Sequence, residues 1–176
     1  TMIVSKGKTI LVADTNVQDF PSSERLVNVS KSCVRVARLF GFDPKVAFLS
    51  HSTFGKPISK NTKHVRDAIE MLKKGKVDFD FDGEMQPDVA LDPIYQEIYP
   101  FSKIVGKANI LIMPALHSAA ISTKLMKVFG GGKLIGPLLI GLGLPIEVAP
   151  LRASTSEILN LASIAAYSSD IIDYSN

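Results

Sequence analysis

A chain of 176 residues with 46% hydrophobic and 21% charged residues can bury a core as one domain and is too apolar to be disordered. Its net charge of +3, with Lys and Arg scattered, leaves no basic footprint, so no nucleic-acid partner is expected. The single cysteine, Cys33, excludes an internal disulfide and favours a reducing, cytoplasmic setting; the longest apolar run, 134–146, is too short and too interrupted by Gly and Pro to span a membrane.

The opening residues lack the charged and apolar regions of a signal peptide and lead at once into a strand-like run, TILVA at 9–13. No element is predicted before that run, and the opening reads as that of a piece of a longer protein. A helix follows between Ser22 and Phe40, where Leu26, Val29, Cys33, Val36, Ala37 and Phe40 recur at helical spacing and Gly41 supplies the stop. KVAFL at 45–49 reads as the second strand. The next helix spans 62–74, with Val65, Ala68, Ile69 and Leu72 on one face, a Glu70–Lys74 pair one turn apart and Gly75 beyond.

Residues 77–81 are predicted as a strand with phenylalanines on its buried face. Residues 87–100 read as one irregular helix broken near Pro93. A strand at 109–113 precedes a helix with the stripe Ile121, Leu125, Val128 and Phe129, closed by three glycines. A last strand is expected at 134–140. The final helix opens on a capping box, Ser154 with Glu157, and is apolar on nearly every side through Ala166, which predicts burial against something. Alternation of short apolar runs with amphipathic stretches defines an α/β chain.

Few motifs carry chemistry. Asp78 to Gly83 looks like the start of a calcium loop, but the position that needs a bidentate Glu is Val89. His51, His64 and His117 stand in no zinc-binding spacing, so no metal site is expected. Cys33 lies on an apolar helix face and reads as core. No glycine-rich dinucleotide or P-loop signature occurs. Ser50, Ser52, Thr53 and Gly55 form a hydroxyl-rich strand-to-helix loop, the kind that holds phosphate through hydroxyls and free N–H groups. His51 sits in the same loop, where a polar or capping role is the simpler reading.

Five stretches, ADTNVQDFPSSERL, VAFLSHSTFG, FDGEMQPDVAL, ANILIMPAL and IGPLLIGLGLPI, occur in an order and at spacings that resemble the phosphate acetyl/butyryltransferase family over nearly the whole chain. The runs from Phe40 to Gly55 and from Asp82 to Met85 are most similar to the phosphotransacetylase-like C-terminal domain of large bacterial NADP-dependent malic enzymes. Two departures stand out. Where the family carries a Ser-Arg-Gly triplet, this chain has Pro150, Leu151 and Arg152, and where it carries an asparagine before the Ile121 position, this chain has Ala120. Proline and leucine offer no charge or side-chain donor to an acyl or phosphoryl group.

The resemblance implies an α/β three-layer sandwich of isocitrate dehydrogenase-like type, with residues 1–149 as the second subdomain and residues 150–176 as a C-terminal helix returning to a first subdomain outside this sequence. It implies a regulatory and oligomerisation module that responds to acetyl-CoA and has lost transferase catalysis, so no catalytic residue is assigned. The parent would be a decarboxylating malic enzyme, converting malate to pyruvate and CO₂ with NADP and a divalent metal held in another domain, and no cofactor in this one. The alternative is an authentic phosphate acetyltransferase. The implied partners are an acyl-CoA and further copies of the chain, as a dimer or higher homo-oligomer. The acetyl-CoA phosphates are expected at Ser50, Ser52, Thr53 and Gly55, with Arg152 adding a guanidinium fork.

Overall fold

The computed structural model describes residues 1–14, 17–142 and 144–171. Thr15 and Asn16 of the ADTN stretch, Gly143 of the GLGLP stretch and the last five residues of the returning segment lie outside them. The strands are β1 Met2–Ser5, β2 Lys8–Ala13, β3 Lys45–Leu49, β4 Asp80–Met85, β5 Ile110–Ile112 and β6 Lys133–Ile135. The helices are α1 Ser23–Leu39, α2 Lys63–Lys74, α3 Pro87–Leu91, α4 Ile94–Ile98, α5 Leu116–Phe129 and α6 Thr155–Ile171, with a 3-10 turn at Lys60–Thr62 before α2.

One mixed sheet carries the order β4-β3-β5-β2-β1-β6. β2, β5, β3 and β4 run parallel, and β1 pairs antiparallel with both β2 and β6. Alternation along the parallel strands divides the core. Leu11, Ala13, Val46, Phe48, Ile110 and Ile112 face α1 and α2, where Leu26, Val34, Val65 and Leu72 meet them. Val12, Ala47, Leu49 and Leu111 face the other way, toward Val89 and Ala90 of α3 and Ala119 of α5. Helices therefore cover both faces, as a parallel sheet requires. Among the described residues no helix is long and apolar enough to cross a membrane.

The structure corrects the sequence reading in several places. The opening residues are an element after all: β1 and β2 form a hairpin whose turn, Lys6 and Gly7, has φ of 50° and 72°. Two successive positive φ values match the right-handed twist of the flanking strands. The fourth strand begins at Asp80, not 77, and continues through Glu84, a charge that pattern reading places outside a core strand. The last strand ends at Ile135, where Gly136 at φ 123° and Pro137, which lacks an N–H for the ladder, turn the chain. Glu70 pairs with Lys73 at 2.6 Å rather than with Lys74.

The α5 stripe is not core. Ile121, Leu125, Val128 and Phe129 are exposed, and Ala119 and Thr123 are the residues α5 buries. On α6 Leu161 is buried while Ile158 and Leu159 are exposed, and Tyr167 stacks near Phe40, so the expected burial is only partial. Other readings hold. The first helix begins just after Ser22 and Gly41 closes it at φ 75°, and Pro93 separates α3 from α4; the structure adds that Ser22 caps α1 by accepting from the Arg25 N–H. The Ser154–Glu157 capping box forms in both directions, at 2.7 Å and 3.3 Å.

Candidate functional site

Parallel strands end on a common rim, and the loops that follow β2, β3, β4 and β5 converge there. In open α/β sheets that rim is where ligands bind. The β3–α2 loop is the longest of the three fully described connections on this rim and is tied down at many points. Ser50 N–H donates to the Met85 carbonyl at the end of β4 at 2.9 Å. Thr53 and Lys56 exchange two main-chain hydrogen bonds around Phe54 and Gly55, both at positive φ (47° and 82°), which makes a tight reversal. Gly55 takes that conformation without strain; Phe54 does not, and is held in it by the Glu84 carbonyl, which accepts its N–H at 2.7 Å, and by the Tyr99 and Phe101 rings.

Beneath this loop lies a buried charge. The Glu84 side chain is completely buried and ion-paired with Arg66 of α2, whose Nη1 donates to both carboxylate oxygens at 3.1 and 3.2 Å. Arg66 also donates to the Thr62 hydroxyl and the Ser59 carbonyl. The Ser52 hydroxyl donates to Glu84 Oε1 at 2.6 Å. A carboxylate out of water is tolerable only when paired and hydrogen-bonded, and here both conditions are met. Two residues earlier on α2, His64 Nε2 donates to the Pro114 carbonyl beyond β5 at 2.9 Å. The first turn of α2 thus braces the segments that follow β3 and β5 and the end of β4.

The four predicted loop residues are brought together, with their hydroxyls turned inward. Ser50, Ser52 and Thr53 are buried, Ser50 Oγ lies 3.1 Å from Ser52 Oγ, and Thr53 Oγ1 accepts from the Gln86 N–H. His51 is exposed, as are Lys56 and Lys60. Arg152 is exposed in the turn before α6 and forms no hydrogen bond or ion pair among the described residues. The reading from sequence missed Glu84 and Arg66. The available signal was an acid, Glu84, between glycine and methionine just past the predicted strand, and an arginine on the helix that follows the loop.

A further feature adjoins the rim. A cavity of about 390 Å³ lies between α1 and the 137–142 segment, lined by Asp14, Arg25, Asn28, Ser32, Cys33 and apolar residues. Burial pushes the Cys33 thiol up to about 11. Arg25 stands 3.9 Å from the Asp14 carboxylate in its wall. In the Asp78–Gly83 run, Asp78 pairs with Arg38 at 3.0 Å and Asp82 accepts the Lys103 and Gly83 amides. Among the described residues no three of His, Cys, Asp and Glu gather to hold a metal ion.

A mixed sheet with helices on both faces, its parallel strands ending at a braced loop with exposed lysines, is an α/β domain. The profile of the phosphate acetyl/butaryl transferase family matches residues 1–166, and the chain belongs to that family. It is 46% identical over 167 residues to an NADP-dependent malic enzyme of Rhizobium meliloti, covering 95% of this chain and 22% of that protein. It is 35% identical over 157 residues to the phosphate acetyltransferase of Clostridium acetobutylicum, covering 88% of this chain and 47% of the enzyme. A phosphotransacetylase from Streptococcus pyogenes superposes with a TM-score of 0.90 at 30% identity, over 96% of this chain and 52% of that structure. The chain thus spans about 22% of the malic enzyme's length and about half of the transferases'.

Proposed function

We propose that this chain is the regulatory and oligomerisation module of an NADP-dependent decarboxylating malic enzyme: an acetyl-CoA-responsive phosphotransacetylase-like domain that no longer transfers acyl groups. The observation that carries the reading is the 46% identity to a malic enzyme along 95% of this chain, joined to Pro150 and Leu151 where the transferases carry Ser and Arg. Acyl transfer between CoA and phosphate needs cations for the phosphate and a donor for the developing charge; Pro150 and Leu151 supply neither. Conversion of malate to pyruvate and CO₂, with NADP and a divalent metal, belongs to a different part of the parent protein. The fold class that accompanies this reading is the isocitrate dehydrogenase-like three-layer sandwich.

Acetyl-CoA fits the chemistry of the rim. The Ser50–Gly55 loop, the exposed His51, Lys56 and Lys60 and the unengaged Arg152 offer amides and cations to its phosphates. The exposed α5 stripe offers a face for a second copy, and two-fold dimers are the commonest closed assembly.

The second reading, an authentic phosphate acetyltransferase, is favoured by the 35% identity to the clostridial enzyme and by Arg152, one position from the missing arginine. Two assays on the complete polypeptide separate them. The effector reading expects saturable acetyl-CoA binding with no acetyl phosphate formed from acetyl-CoA and phosphate. The transferase reading expects turnover.

A further inference from the structure

The Ser50 and Ser52 hydroxyl protons are already spent. Each serine hydroxyl has one proton to give. Ser52 gives its proton to Glu84, whose carboxylate is ion-paired with Arg66 and has none to return. In the Ser50–Ser52 contact, Ser50 is therefore the donor, and its own oxygen accepts the Ser52 N–H at 3.2 Å. The two residues form a chain that runs inward, Ser50 to Ser52 to Glu84, with Arg66 behind it.

Main-chain donors divide in the same way. The N–H groups of Ser50, Ser52, Thr53, Phe54 and Lys56 are engaged within the protein, while those of His51 and Gly55 have no acceptor among the described residues. Glu84 holds the loop twice. Its side chain takes the Ser52 hydroxyl at 2.6 Å, and its carbonyl takes the Phe54 N–H at 2.7 Å, fixing the residue that sits at positive φ.

We propose that Glu84, clamped by Arg66, is the positioning residue of this loop: it draws the Ser50 and Ser52 hydroxyls inward and leaves the His51 and Gly55 amides as the donors that meet an anionic ligand. The proposal deepens the acetyl-CoA reading of the rim and rests on it for the ligand, not for the geometry. Glu84 touches no ligand; it acts through the loop. Ser50 and Ser52 shape the site rather than bind the phosphate.

The test uses the complete natural polypeptide as wild type, Ser52→Ala, Glu84→Gln and the double variant. Hydrogen exchange at the Ser52, Thr53 and Phe54 amides is read with Val34 and Ala37 of α1 as the control, alongside calorimetric titration with acetyl-CoA. Glu84→Gln keeps the shape and removes the charge. It is expected to speed loop exchange at least roughly tenfold with α1 unchanged, and to weaken acetyl-CoA by roughly ten- to a hundredfold, the usual loss for a charge-assisted hydrogen bond. The double variant should match Glu84→Gln within about twofold, because residues in one network are not additive. Unchanged loop exchange in Glu84→Gln overturns the proposal, as does exchange that rises equally in the loop and α1, which would make the pair a general stability element. Losses that multiply in the double variant also overturn it, because Ser52 would then contact the ligand by itself. Wild-type protein that binds no acetyl-CoA overturns the effector reading of the rim, and the exchange arm still decides the role of Glu84.

Discussion

Ser52 gives its hydroxyl proton to the buried carboxylate of Glu84 over 2.6 Å, so a residue that composition marks as a phosphate donor points into the protein. The consequence reaches the whole rim. On the proposed reading, phosphate at the β3–α2 loop would be met by main-chain amides and by exposed cations, Lys56 and Lys60 of the loop itself and Arg152 from the turn before α6.

Removal of that guanidinium is the direct check on the ligand. Arg152→Ala in the complete polypeptide should lose about 1.5–3 kcal/mol of acetyl-CoA binding, a roughly ten- to hundredfold rise in Kd by calorimetry. Equal affinities would move the phosphates away from Arg152.

Catalysis is expected to be absent. The complete protein should form no acetyl phosphate from acetyl-CoA and phosphate, because Pro150 and Leu151 replace the Ser-Arg pair. The double change Pro150→Ser and Leu151→Arg should restore at most a trace. Robust turnover by the unmodified protein would decide for the transferase reading.

Assembly should depend on α5. Val128 and Phe129 are 75% and 83% exposed, a wasteful display of apolar surface unless another subunit covers it. The protein should be a dimer or larger by light scattering, and Val128→Asp should shift it toward monomer. A wild-type monomer at micromolar concentration would count against this face.

Gly83 tests the strand that carries Glu84. Its φ is +145°, and an added Cβ would lie 2.7 Å from the Phe48 carbonyl oxygen and 3.1 Å from the Phe48 Cβ. Neither atom can withdraw without breaking the β3–β4 ladder. Gly83→Ala should cost about 2–5 kcal/mol, combining backbone strain with overpacking. Chemical denaturation measures it, and a loss below about 1 kcal/mol would mean that the ladder yields easily.

Cys33 should be inert at neutral pH. With its thiol pushed to about 11 by burial, the thiolate that reacts with alkylating agents is scarce. Modification at pH 8 should be roughly a hundredfold slower than for a free cysteine and should accelerate on denaturation. The sign for stability follows. Unfolded chains release this proton near the ordinary 9.0 and the folded protein only near 11, so alkali through that window favours unfolding. Fast labelling of folded protein would show that the 390 Å³ cavity admits reagent to the sulfur.

Most of the fold was legible in local pattern. The α1 and α2 stripes, the Gly41 stop, the Ser154–Glu157 box and the break at Pro93 are written within a few residues of one another. The loop residues Ser50, Ser52, Thr53 and Gly55 were also found, because strand-to-helix turns announce themselves by composition. The hairpin turn at Lys6 and Gly7 was present but unused, since a non-glycine residue at positive φ is rarely assumed.

Chain order and residue type were enough for these features, because helix stripes, caps and turns depend on neighbours within a few positions. The Glu84–Arg66–Ser52 chain depends on residues up to 32 positions apart, and no spacing rule joins a serine after one strand to an acid inside the next. Likewise, nothing in the α5 stripe says whether its apolar side meets the sheet or solvent. Ala119 and Thr123 won the contact because their small side chains let the helix approach, leaving Ile121, Leu125, Val128 and Phe129 outside. Burial and proton direction are properties of the packed whole, set by which groups lose water together; the sheet order and the seat of α2 on its strands determine that here.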